Sequence, residues 1–201
     1  MSSILTLRSI ACSALIIFLI YNFTTLSSYI CLPSGLPSSS LHTTAATMAS
    51  PSHLQISLAQ KSKSPPTITI RVKNTHPDTP LTFVTWNTPL DPSALPLGVI
   101  SVADAASGER LNKDTIKIGR KTPPAPDQFV TIAPGEAREQ DLELKGPLVP
   151  LDKASGKLKV SCKGAWGDVW AGESVGPSEW QEKSGKGLNG EYESEALEVE
   201  L

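Results

Sequence analysis

Across residues 9–60 the chain has no aspartate, glutamate, lysine or arginine, and nearly all its charge lies beyond Gln60. The net charge is only −2 and the pI is near 5.9, so no basic field exists to attract nucleic acid. Cysteine is as scarce. Of Cys12, Cys31 and Cys162, only Cys162 lies in the charge-bearing part, which therefore holds no internal disulfide. That leans towards a reducing compartment. Helical periodicity is missing too: no long segment repeats apolar residues at three- and four-residue spacing. Absent as well are the Gly-x-Ser-x-Gly elbow, the phosphate loop, the dinucleotide glycines and the zinc motif His-Glu-x-x-His. His42, His53 and His76 each stand alone without a Glu or His at ligand spacing, so no catalytic, cofactor or metal residue is assigned.

The uncharged start divides in two. Residues 1–32 form an apolar segment, with Arg8 ahead of the run from Ile10 to Tyr21. It reads as a secretory signal or, if its polar residues are tolerated, as a single-span anchor, and it is the chain's one route to a membrane. Residues 33–52 are a Ser/Thr/Pro-rich linker, expected to be disordered. A third reading starts translation at Met48. The product is then a cytosolic domain, whereas with residues 1–47 retained it is secreted or membrane-anchored.

From His53 onward, period-2 alternation recurs. Leu54, Ile56 and Leu58 make one apolar stripe, and Ile68, Ile70 and Val72 another. Further short strands are expected over 81–86, 99–103, 115–118, 128–132, 140–144, 158–163 and 196–201. Seventeen prolines favour turns over helices. The expected fold is an all-β, antiparallel immunoglobulin-like sandwich of roughly eight or nine short strands over residues 53–201, preceded by an apolar helix or disordered extension. A long Gly-rich loop is expected over 164–190.

Within this pattern Trp86-Asn87-Thr88-Pro89-Leu90-Asp91 reads as a core-sealing corner, and Pro134-Gly135 as a turn. Trp86 is expected to plug the gap between the sheets. Asn87 is expected to make an Asx turn, and Asp91 to cap backbone amides. His76 reads as solvated, Cys162 as a small buried apolar residue, and Glu139, Asp141 and Glu143 as the wet face of a strand. Trp166, Trp170 and Trp180 fall in the Gly-rich stretch, where exposed tryptophan is a typical interface anchor. They are the candidate partner-binding residues; the competing reading has Trp166 and Trp170 covering the end of the sandwich.

Residues 54–164 resemble the β-rich amino-terminal (prosegment) domain of deuterolysin-type fungal metallopeptidases. The resemblance rests on the strand ending Val72-Lys73-Asn74, on Pro80-Leu81, on the Trp86-to-Asp91 corner and on Pro134-Gly135-Glu136. It implies a β-sandwich that assists or inhibits an attached peptidase. This chain lacks the zinc ligands of those enzymes. The functional expectation is a non-catalytic module binding another protein, a peptidase by analogy, with no cofactor. A structural or cell-surface domain is the alternative, and an enzyme of unrecognised chemistry the third.

Overall fold

The alternating stripes become the two faces of a sandwich in the computed structural model, which describes residues 48–172 and 174–201. The expectations for residues 1–47 fall outside the described residues. Nine strands are present there: β1 (Leu54–Lys63), β2 (Pro66–Asn74), β3 (Leu81–Val84), β4 (Ile100–Asp104), β5 (Phe129–Ile132), β6 (Ala137–Glu143), β7 (Lys157–Ala171), β8 (Leu188–Glu193) and β9 (Leu197–Glu200). One seven-residue helix, α1 (Pro177–Lys183), sits between β7 and β8. Every pairing is antiparallel.

The small sheet has the order β1-β2-β6. Its central strand turns Ile68, Ile70 and Val72 fully into the core, while Arg71 and Lys73 face water. In the large sheet the fifteen residues of β7 are the spine. Leu158 pairs with Asp104 of β4 and with Val199 of β9, so those strands flank opposite edges of β7. Val169 pairs with Phe83 of β3 and with Leu188 of β8 further along. The Ser194 amide donates to the Cys162 carbonyl at 2.9 Å and stitches β8 to β9 along one edge. Strand β5 closes the sheet beyond β3.

One cluster joins Leu158, Val160, Cys162 and Trp166 of β7 to Phe83, Ile100, Val102 and the β2 stripe. Each large aliphatic side chain buried in this way contributes about 1.5–3 kcal/mol. Cys162 is enclosed, and burial pushes its thiol up to about 12.

Several expectations are corrected. The supposed loop over 164–190 holds the second half of β7, α1 and the start of β8. A bulge between Trp166 and Val169 shifts the register, so one period-2 pattern does not run through the strand. The core therefore extends past Gly164 to Trp166, Val169, Trp170, Val175 and Tyr192. Residues 115–118 form no strand, since no neighbour pairs with them. The linker does not reach Ser52: a 3-10 turn at Pro51–His53 buries Pro51 and is capped by the Ser50 hydroxyl. His76 is buried rather than solvated. Its Nδ1 accepts from the Asp78 and Thr79 amides at 3.2 and 2.9 Å, and its ring meets His53 edge-on at 4.8 Å. The Asn74 side chain draws that corner together, donating to the Thr79 and Ile132 carbonyls at 2.9 Å each.

Candidate functional site

Strand β3 ends at Val84, and the chain then bends through seven residues, Thr85 to Asp91, that bond mainly to one another. The Thr88 hydroxyl donates to the Thr85 carbonyl at 2.7 Å, and the Asp91 amide to the Thr88 carbonyl at 3.0 Å. The buried Asp91 carboxylate accepts from the amides of Asn87 and Ser93 at 2.8 and 2.9 Å and pairs with the Arg120 guanidinium. Breaking a buried pair of this kind costs roughly 3–5 kcal/mol, and less where, as for Arg120, part of it meets water. Asn87 does not make the expected Asx turn. It takes the left-handed backbone, φ 57°, one of the few shapes asparagine tolerates. Its carbonyl accepts from the Tyr192 hydroxyl at 3.1 Å, tying the corner to β8. Burial holds that phenol above its ordinary range, with the Asp91 carboxylate adding to the effect.

Trp86 is not the plug between the sheets. It lies two residues beyond the strand, half-buried, with the Arg120 guanidinium carbon 5.9 Å from its ring centre. The plug is Trp166, 2% exposed, whose ring lies 5.0 Å from Phe83 and 4.8 Å from Tyr192. Alternation along the spine strand, rather than the corner, places a ring in the core. Trp166 is therefore no exposed anchor, and neither is the buried Trp170, whose indole donates to the Lys183 carbonyl at 3.2 Å. Trp180, on α1, is half-buried and meets Trp86 edge-on at 6.4 Å.

These positions converge. All four tryptophans of the chain line one cleft of about 190 Å³, together with Asn87 and Asp168. Asp168 accepts from the amides of Gly185 and Gly187 at 2.7 and 2.9 Å and so holds the turn after α1 against the cleft. A side chain at Gly187 would meet the Asp168 backbone at 2.7 Å, which only glycine avoids. On the other side of Trp86 a second cleft, about 570 Å³, runs between Ile118, Arg120, Pro123, Pro126 and Pro177. Pro89 is buried beneath the corner. Pro134-Gly135 lies elsewhere, in the β5–β6 turn, where the Gly135 amide donates to the Asn74 carbonyl.

Sequence reading missed Arg120, Asp168 and Ser184 as members of this neighbourhood. Arg120 and Asp91 stand 29 residues apart without a shared motif, so no local signal joins them. Among the described residues no group of three or more His, Cys, Asp or Glu side chains is placed to hold a metal ion.

Two sheets, a long central strand and an end-on cluster of loops define an immunoglobulin-like sandwich. The chain belongs to the immunoglobulin-like domain family, which matches residues 53–201. It is also similar to an uncharacterised secreted protein of Arthroderma benhamiae, 33% identical over 145 residues, which cover 69% of this chain and 71% of that protein.

Proposed function

We propose that this protein is a non-catalytic recognition module that binds another protein through the segment 113–121. The observation that carries the reading is an unpaired strand-like sequence on the surface. Thr115 and Lys117 alternate with Ile116 and Ile118, yet the segment joins neither sheet. Among the described residues its one backbone–backbone bond runs from the Ile116 amide to the Pro96 carbonyl, 2.9 Å. Ile116 and Ile118 stay 51% and 36% exposed, large apolar side chains that a partner would cover. Among the described residues Lys117 and Lys121 have no ion-pair partner, which supports an acidic, extended segment that adds as a strand.

The resemblance to a prosegment domain makes a peptidase the first partner to test. We further propose that residues 1–32 are a leader or anchor and 33–47 a linker. The secreted relative supports the reading in which this domain acts outside the cell, free or at the surface.

The test is capture of partners by the full chain and by the Ile116→Ser/Ile118→Ser variant, with amide hydrogen exchange on the complex. A specific partner should be retained by the wild type, be lost by the variant, and protect the amides of 113–121. A partner that binds both proteins equally, with no protection there, refutes this surface.

A further inference from the structure

We propose that the proline-walled groove beside Trp86 takes one tyrosine side chain, carried by the acidic, extended partner segment that adds along 113–121. The inference rests on that reading of the surface and names the partner's anchoring residue. Ile118, Arg120 and Lys121 belong both to the segment and to the groove, so a strand laid along Thr115 to Ile118 reaches it.

Shape and surface are the first constraint. The groove holds about 570 Å³, space for roughly nineteen waters, which admits a six-membered ring and the backbone that carries it. Its walls are largely apolar: Ile118, Pro123 and Pro126 are exposed, and Trp86 and Pro177 are half-buried. An aromatic ring covers such area with few rotatable bonds, and tyrosine is among the side chains that most often anchor an interface.

The polar groups choose among the rings. Three of the four residues from Pro123 to Pro126 are prolines, which have no amide hydrogen. The fourth amide, that of Ala125, donates to the Gln128 side-chain oxygen at 2.9 Å. That wall therefore has no free donor, while the Pro123 and Pro124 carbonyls accept no backbone bond among the described residues. Gln128, also at the groove, keeps its side-chain nitrogen as a donor. A phenol hydroxyl can donate to the carbonyls and accept from the amide nitrogen. Phenylalanine and leucine do neither, and an indole only donates.

Charge selects what flanks the ring. Lys113 is paired with Glu109, and Arg120, 5.9 Å over Trp86, is paired with Asp91. Lys117 and Lys121 have no such partner among the described residues. The carboxylates of 113–127, Asp114 and Asp127, stand near the two ends of that stretch. Two unmatched ammonium groups beside the groove favour carboxylates on either side of the tyrosine and oppose a cationic occupant.

The test is titration of the full chain with the capped peptide Glu-Thr-Glu-Tyr-Glu-Thr-Glu, followed by amide NMR shifts and amide hydrogen exchange. Counterparts carry phenylalanine, leucine or tryptophan at the centre, or lysine in place of every glutamate. The tyrosine peptide should bind saturably and shift the signals of Ile118, Ala125 and Gln128. The phenylalanine peptide should bind about fivefold and the leucine peptide about tenfold more weakly, and the lysine peptide should not saturate. Ala125→Trp puts a ring into the groove from an exposed position. It should erase the preference for tyrosine over leucine and leave the protection of amides 113–118 in place. The assignment is overturned by no saturable binding, by equal affinity for tyrosine and leucine, by tighter binding of the tryptophan or lysine peptide, or by an undiminished preference in Ala125→Trp. Equal affinities with protection along 113–118 remove the groove alone, and the Ile116→Ser/Ile118→Ser capture experiment decides the strand surface separately.

Discussion

Gln60 of β1 holds the backbone of Glu200 of β9 from both sides. Its side-chain nitrogen donates to the Glu200 carbonyl at 2.7 Å, and its side-chain oxygen accepts from the Glu200 amide at 3.0 Å. One carboxamide thus stands in for a ladder step between the two sheets. A bulge between Gln60 and Ser62 interrupts the β1 ladder at this point.

Replacing Gln60 with leucine keeps the bulk and removes both bonds to Glu200, together with a longer one, 3.3 Å, to the Ser62 carbonyl. Each is worth about 1 kcal/mol in stability. We expect Gln60→Leu to destabilise the domain by about 1–2 kcal/mol, less for solvent competition at this exposed edge, read from the denaturant midpoint. Gln60→Glu retains an acceptor for the Glu200 amide but loses the donor and faces a terminal strand rich in glutamate, so it should be at least as damaging. Wild-type midpoints for both variants would show that the sheets are held by core packing alone.

The tryptophans should rank by burial. Trp166→Ala removes a ring seated among Phe83, Tyr192 and the spine strand and should cost about 3–5 kcal/mol. That is a large part of the roughly 5–15 kcal/mol available to a domain. Trp86→Ala, half-buried at the rim, should cost less, and Trp180→Ala about 1 kcal/mol. Chemical denaturation of the three variants gives the order directly. Trp86 as the most damaging site would return the plug to the corner.

Asp104 supplies an acid-sensitive clasp. It accepts from the hydroxyl and amide of Ser155 and from those of Ser107, and these bonds hold its carboxyl well below the usual carboxylate range. Because the folded value lies below the unfolded one, near 3.9, this contribution is complete above about pH 5 and is lost as pH falls through the folded value. Asp104→Asn should lower the melting temperature at neutral pH. It should also flatten the decline on the acid side, and a melting profile parallel to that of the wild type at every pH would contradict the clasp.

Cys162 gives the opposite branch. Its thiol is raised to about 12 by burial, while an unfolded thiol titrates near 8.5. Above about pH 8.5 the unfolded chain releases a proton that the folded chain keeps, so stability falls as pH rises. Cys162→Ala should remove that alkaline decline. In the native wild type, a thiol reagent followed by mass spectrometry should leave Cys162 unmodified until the domain unfolds.

Residues decided much of this protein by themselves. Alternation at Leu54 to Leu58, Ile68 to Val72 and Leu158 to Cys162 is a local property of each strand, because period 2 sets which side chains share a face. The all-β class, the antiparallel sandwich and the buried thiol followed from it. So did the Pro134-Gly135 turn: Gly135 sits at φ 75°, where glycine carries no Cβ penalty, and the Glu136 amide closes onto the Ala133 carbonyl.

Tertiary structure decided the rest, wherever the deciding partner lies far along the chain. Residues 115–118 alternate as a strand does, yet a strand needs a neighbour and both sheets leave them without one. Residues 166–170 look like a glycine-rich loop, yet β3 and β8 flank them and the bulge before Val169 keeps both Trp166 and Trp170 buried. His76 is buried because the Asn74 corner closes over it, and Trp86 stays at the rim because Trp166 already fills the core. The four-tryptophan cleft exists only after β3, β7 and α1 have met, since burial is a property of packed surfaces and no single segment carries it.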